Sequence, residues 1–152
     1  APPAALRKSY DQTERLVTAI RHPHVHILAH PRGRIVGSRP GLIVDWDVVF
    51  RVAADEGVGG VIDGDPARQD LDYTIARRAL GAGCLFALDS DAHTTGQLRY
   101  TETAIAHARL AGIPADRVLN CWPVDRLLQW LAERSLRVNS QSAPRGTTAR
   151  SH

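Results

Sequence analysis

Apolar positions along the chain fall into two kinds of run, one with helical spacing and one short and continuous. Leu16, Val17 and Ile20 share one face of a helix that Asp11 is placed to cap and Pro23 to stop, which predicts a helix over 11–21. Residues 25–29 then read as a short buried strand, ended by Pro31 and followed by a loop marked by Gly33 and Gly37. Asp45 suits the N-cap of a second helix, with Val48, Val49, Val52 and Ala53 inward and Gly57 closing it. Residues 58–62 form the next expected strand, and Asp63-Gly64-Asp65-Pro66 the loop after it. A third helix starts at Asp70 or Asp72, buries Ile75, Ala76, Ala79 and Leu80, and stops at Gly81-Ala82-Gly83. Residues 84–88 carry no charge and predict a strand buried on both faces.

A helix is expected from about Leu98 to Ala111, terminated by Gly112. Residues 115–119 read as a helical turn or the approach to a last strand. Pro123 opens a final helix in its first turn, where its missing N–H costs nothing, and Val124, Leu127, Leu128 and Leu131 form its inner face. Residues 1–5 have no periodic pattern. The Ser, Thr, Arg and Gly of 137–152 predict a disordered tail, leaving one domain over 1–136.

Strands that alternate with helices in this order pair in parallel through right-handed crossovers, so the fold class is α/β. In such folds functional groups gather where the strands end. Composition narrows the setting. At 43% hydrophobic, 152 residues suffice for one core, and no apolar run approaches the ~20 residues of a membrane span. The first 20 residues lack the apolar stretch of a secretory signal. Cys84 and Cys121 form no CxxC and are expected to be small buried hydrophobes in a reducing, cytoplasmic setting. The net charge of +3 rests almost wholly on arginine, with Lys8 the sole lysine, and does not by itself argue for nucleic acid.

Three side chains stand where strands are expected to end. His30 follows the 25–29 run, and Asp91 and His93 follow the 84–88 run. Neighbouring parallel strands lie about 4.8 Å apart, so their ends can share a site. Asp91 and His93, two apart, point the same way if the segment is extended. An imidazole and a carboxylate suit Zn, Mn or Fe, whereas a lone histidine after a strand is more often an ordinary loop residue. His22, His24 and His26 are spaced like a metal tract but read better as surface or half-buried residues around Pro23. Arg32 and Arg34, turned about Gly33, are candidate phosphate clamps or simply a solvated basic loop. Arg39 and Arg68 are weaker candidates of the same kind. Asp63 and Asp65 are placed to orient His30 or Arg34, or to cap the loop, and Asp89 to bond loop backbone.

The ordered succession His30-Pro31-Arg32-Gly33-Arg34, Gly37-Ser38-Arg39-Pro40-Gly41, Asp65-Pro66-Ala67-Arg68-Gln69-Asp70-Leu71-Asp72 and Asp89-Ser90-Asp91-Ala92-His93 resembles the PHP (polymerase and histidinol phosphatase) superfamily. The likeness is greatest to the PHP domain of bacterial family X DNA polymerases and spans about residues 6–132, ending in Val118-Leu119-Asn120 and Pro123. It implies a distorted β/α barrel, present here as its C-terminal part, that binds divalent metal ions and hydrolyses phosphoesters. In polymerase-linked members the activity is typically a 3′–5′ exonuclease on DNA. It assigns His30, Asp91 and His93 to the metal, as part of a larger set whose first motifs would precede residue 1. The family often has Glu-Ile-Asn where this chain has Val61-Ile62-Asp63. The enzyme is thus expected to retain part of its metal site. The alternative is a non-catalytic remnant that binds metal, phosphate or a partner. The open edges of a partial barrel also predict self-association, with a homodimer as its simplest form.

Overall fold

The computed structural model describes residues 4–142, with side-chain environments for 8–136. The element order is α1 (Ala4–Arg21), β1 (Ile27–Leu28), α2 (Trp46–Glu56), β2 (Gly59–Asp63), α3 (Tyr73–Ala82), β3 (Leu85–Asp89), α4 (Thr101–Ala111) and α5 (Val124–Ser142). Short 3-10 turns cover Thr95–Tyr100, Ala115–Arg117 and Leu119–Cys121. The three strands form one parallel sheet in the order β1-β2-β3. This is the expected α/β alternation. The described strands leave the sheet open, so the barrel is not shown; about eight strands are needed for a small closed one.

Local chemistry sets most boundaries. The Asp45 carboxylate accepts from the N–H groups of Asp47 and Val48, and Gly57 ends α2 in the left-handed region. Asp72, the second of the two expected starts, caps α3 through Thr74 and Ile75, and Gly83 closes it. Gly112 does the same for α4. α1 begins earlier than expected, at Ala4, so Asp11 lies within the helix rather than at its start. β1 is shorter than the predicted 25–29; among the described residues it pairs with β2, Ile27 opposite Gly59 and Leu28 opposite Gly60. α5 continues past the boundary at 137, to Ser142; residues 1–3 and 143–152 lie outside the described residues.

The core packs one face of the sheet against α1–α4. Ile62 and Phe86 meet Ile20, Val49, Phe50, Ala53, Leu71, Ala76, Ala79, Ala104 and Ala108. Burying each large side chain contributes roughly 1.5–3 kcal/mol. Within β3 only Phe86 is fully buried: Leu85, Ala87 and Asp89 on the opposite face, and Leu88 on the same face as Phe86, are half-buried, which corrects the expectation that β3 is buried on both faces. Along α5, Val124 and Leu128 are exposed rather than inward. That helix is held instead by Trp130 and Arg134. Trp130 Nε1 donates to Gly57 O at 3.0 Å. The buried Arg134 donates to Ile20 O, His22 O, Val25 O and Glu56 O, joining the ends of α1 and α2 to the approach to β1. These carbonyls need partners once buried, and a single guanidinium supplies five donors.

The outer edge of β3 is partly closed. Phe86 bridges Val118 in parallel, and the Asn120 side-chain amide pairs with both backbone groups of Leu88, at 2.8 and 3.0 Å. One of the two edges on which self-association was expected is thereby blunted. Cys84 is buried and burial pushes its thiol up to about 12, as suits an inert core residue. Cys121 is exposed, against expectation, because it lies in an outward turn after Val118.

Gly64 ties β2 to the chain beyond β3. Its N–H donates to Asp89 O at 2.9 Å, and a Cβ there would lie 1.9 Å from Tyr100 O. Backbone cannot be moved aside by a rotamer change. Gly64→Ala is expected to destabilise the chain by about 3 kcal/mol or more, read as a lowered urea midpoint. An unchanged midpoint would mean that Tyr100 is not packed there.

Candidate metal centre

Parallel pairing puts Asp63 directly opposite Asp89 at the ends of β2 and β3. Paired residues on neighbouring strands point to the same face, here the one opposite Ile62 and Phe86. His30 and Asp91 lie two residues beyond the ends of β1 and β3. Each adopts a left-handed backbone, with φ of 47° and 48°, a conformation uncommon outside glycine that needs support from its surroundings.

The support for His30 comes from Asp70. That fully buried carboxylate accepts from Arg32 N at 3.1 Å and Gly33 N at 3.0 Å, while Gly33 N also closes a turn onto His30 O. Burial raises the pKa of Asp70 against these opposing hydrogen bonds. Arg32 Nη1 bonds Asp72 Oδ2 at 2.5 Å, so both acids of the 70–72 segment hold the loop after β1 in place.

The imidazole of His30 stands between two carboxylates. Nδ1 lies 3.1 Å from Asp63 Oδ2, and Nε2 lies 3.5 Å from Asp91 Oδ1. Ligand atoms of these three residues all lie within 4.8 Å of one another. Bonds of about 2.1 Å to a shared ion place neighbouring donors roughly 3.0–3.4 Å apart, which the Nε2–Asp91 pair approaches, whereas Asp63 meets the opposite ring nitrogen. A histidine that binds metal through one nitrogen commonly has a carboxylate at the other, which is how Asp63 stands to His30.

Three buried side-chain polar atoms among the described residues lack a hydrogen-bond partner: His30 Nδ1, Asp63 Oδ2 and Asp89 Oδ1. All belong to this one cluster. The close approach of Nδ1 to Oδ2 is therefore not an aligned hydrogen bond. Buried polar atoms are rarely left unpaired, and three together at the strand ends fit the donor chemistry of a cation site. Desolvation raises Asp63 to about 6, with the nearby Asp91 and Asp89 pushing the same way and the Asp65 N–H and His30 opposing them. Asp89 is raised too, first by burial and then by Asp91.

The other candidates fall elsewhere. His93 is exposed and stands outside this group. Its N–H and that of Thr94 are taken by Gln97 Oε1, and the left-handed turn at Asp91 breaks the alternation that would have aligned the two side chains. Arg34 Nε and Nη2 donate to Arg68 O and Gln69 O, so Arg32 and Arg34 are committed to Asp72 and to loop carbonyls. Arg39 Nη1 donates to Gly33 O. Asp65 caps its own loop through Ala67 N. His22 and His24 are exposed with rings 5.6 Å apart, and His26 meets Trp130 edge-on. Arg68 is the basic residue that reaches the cluster, with Nε 2.7 Å from Asp91 Oδ2.

Over 122 residues, 77% of its length, the chain is 32% identical to the DNA polymerase/3′-5′ exonuclease PolX of Bacillus subtilis (strain 168). The chain is a homologue of PolX. It is also 25% identical over 135 residues to a protein named probable phosphatase from Thermoanaerobacter sp. (strain X514), and 28% identical over 128 residues to another so named from Shewanella sp. (strain MR-4). These matches cover 85% and 80% of the chain. They agree with a PHP-type domain, although no family model matches. The chain spans 21% of PolX and about half of each phosphatase, at 52% and 48%. No described helix is long and apolar enough to cross a membrane.

Asp63 gives the centre a testable pH signature. Its folded pKa lies above the ordinary carboxylate value of 3.8, so the cation-free fold holds the proton more tightly than the unfolded chain. That contribution is present at low pH and is lost as pH rises from about 4 through 6, by at most ~3 kcal/mol. Thermal melts without cation should therefore show Asp63→Asn gaining on the wild type as pH rises from about 4 to 6 and no further above it. Added Mn²⁺ should raise the wild-type Tm at pH 7 and leave that of the variant nearly unchanged. Equal responses of the two proteins would remove Asp63 from the centre.

Proposed function

We propose that the chain is the part of a PHP-type phosphoesterase that carries one side of a divalent metal site, with His30 and Asp91 holding the ion. The observation that carries this reading is the cluster of unpaired buried atoms on His30, Asp63 and Asp89. A divalent cation bound there would polarise a phosphoryl oxygen and acidify a water, as in other metal-assisted hydrolyses.

The chain's own residues do the rest. The Asp70 carboxylate fixes the turn that presents His30. Asp63 lies 3.1 Å from Nδ1, on the side of the ring away from Nε2 and Asp91. Asp63, Asp89 and Asp91 supply the negative charge that favours a divalent ion over water alone. The names of the relatives point to phosphoesters as substrate class, and PolX to the 3′ end of DNA as one specific substrate. Zn, Mn and Fe all suit a mixed imidazole and carboxylate donor set.

Hydrolysis of bis-p-nitrophenyl phosphate with Mn²⁺ or Zn²⁺ tests the reading. His30→Ala and Asp91→Ala should each lower the cation-dependent rate about a hundredfold or more. His93→Ala, outside the cluster, should cost less than tenfold. Activity that survives His30→Ala contradicts the assignment. Cation binding without turnover in the wild type favours the non-catalytic alternative.

A further inference from the structure

The β2–α3 loop places a guanidinium where the negative charge of the centre is greatest. Arg68 Nε donates to Asp91 Oδ2 at 2.7 Å and lies 4.0 Å from Asp63 Oδ2. Its terminal amino groups make no hydrogen bond among the described residues, and the side chain is 26% exposed. The other loop arginines are engaged away from the cluster: Arg32 with Asp72, Arg34 with Asp72 and two carbonyls, Arg39 with Gly33 O. Arg68 alone among these four combines contact with the cluster and unused donors.

Its backbone is fixed from two sides. Asp65 O accepts from Arg68 N and Gln69 N, both at 2.9 Å. Arg34 binds Arg68 O at 2.9 Å and Gln69 O at 2.7 Å, with Gln69 in the left-handed region at φ 45°. Such a grip is more than an exposed ion pair needs, since surface pairs contribute little by themselves.

We propose that Arg68 serves the centre in two ways: it neutralises Asp91 when no divalent cation is bound, and it holds the phosphoryl group of the substrate when a cation takes Asp91. Arg34 is then a positioning residue, acting through the backbone of Arg68 and Gln69. The inference rests on the phosphoesterase reading and names the group that would bind its substrate. Guanidinium donors match phosphoryl oxygens in pairs, which a lysine cannot reproduce. Arg68 and the divalent cation compete for one carboxylate, so the arginine weakens cation binding while strengthening phosphate binding. A purely structural arginine would support both or neither.

Calorimetric titration separates these cases. Mn²⁺ is titrated into the wild type, Arg68→Gln and Arg68→Lys, and inorganic phosphate is then titrated into each Mn²⁺-loaded protein, with melts to confirm folding. Arg68→Gln is expected to bind Mn²⁺ about threefold or more tightly than the wild type and phosphate about tenfold less tightly. Arg68→Lys should restore the wild-type Mn²⁺ affinity but only part of the phosphate affinity. Weaker Mn²⁺ binding by Arg68→Gln, or unchanged phosphate binding beside a wild type that does bind it, overturns the role of Arg68 alone. A Mn²⁺-loaded wild type that binds no phosphate overturns the phosphoesterase reading and this inference with it.

Discussion

Burying the Asp63 carboxylate beside Asp89 and Asp91 is the constraint around which the upper end of the sheet is arranged. Like charges held together in a half-desolvated site repel, and each raises the pKa of its neighbours. Without positive charge nearby, such a cluster takes up protons or opens. One guanidinium is at hand: Arg68 pairs with Asp91, while the His30 ring lies between Asp63 and Asp91. Neither donates a hydrogen bond to Asp63 Oδ2 or Asp89 Oδ1, and these are the oxygens on which the proposal of a divalent ion draws.

The remainder of the fold is organised to hold those charges still. Asp70 and Asp72 bind the loop after β1, Arg34 binds the loop after β2, and Gly64 allows the chain beyond β3 to pass against β2. At the opposite end of the strands Arg134 gathers carbonyls from α1, α2 and the approach to β1. Rigidity at both ends matters because a metal site tolerates errors of only a few tenths of an ångström among its donors. Of the acids in the cluster, Asp63 is fully buried while Asp89 and Asp91 are half-buried.

Much of this was legible in the chain. Capping chemistry at Asp45, Gly57, Asp72, Gly83 and Gly112 is local, so the helices could be placed from short segments. The apolar runs gave the strands, and their alternation with helices gave the parallel order. The site was half legible. Strand ends point to His30 and Asp91, and the same rule applies to Asp63, which follows the uncharged run 58–62 and reads from sequence as orienting His30 or Arg34 or capping the loop. Its partnership with His30 depends on register, which no local pattern encodes. His93 stands apart from His30 and Asp63 in this structure, since period-two alternation does not hold where Asp91 turns left-handed. The roles of Arg32 and Arg34 were hidden for a similar reason: their acidic and carbonyl partners lie about 35–40 residues away.

The account stands on His30 being the imidazole that meets the ion. Histidine-selective ¹⁵N NMR during a zinc titration observes this directly, since the chain has seven histidines and each ring reports separately. The ring nitrogens of His30 are predicted to shift first, below one equivalent of zinc, with His93 and the His22–His24–His26 tract still unmoved. Earlier shifts in that tract, or a His30 signal that never responds, would contradict it.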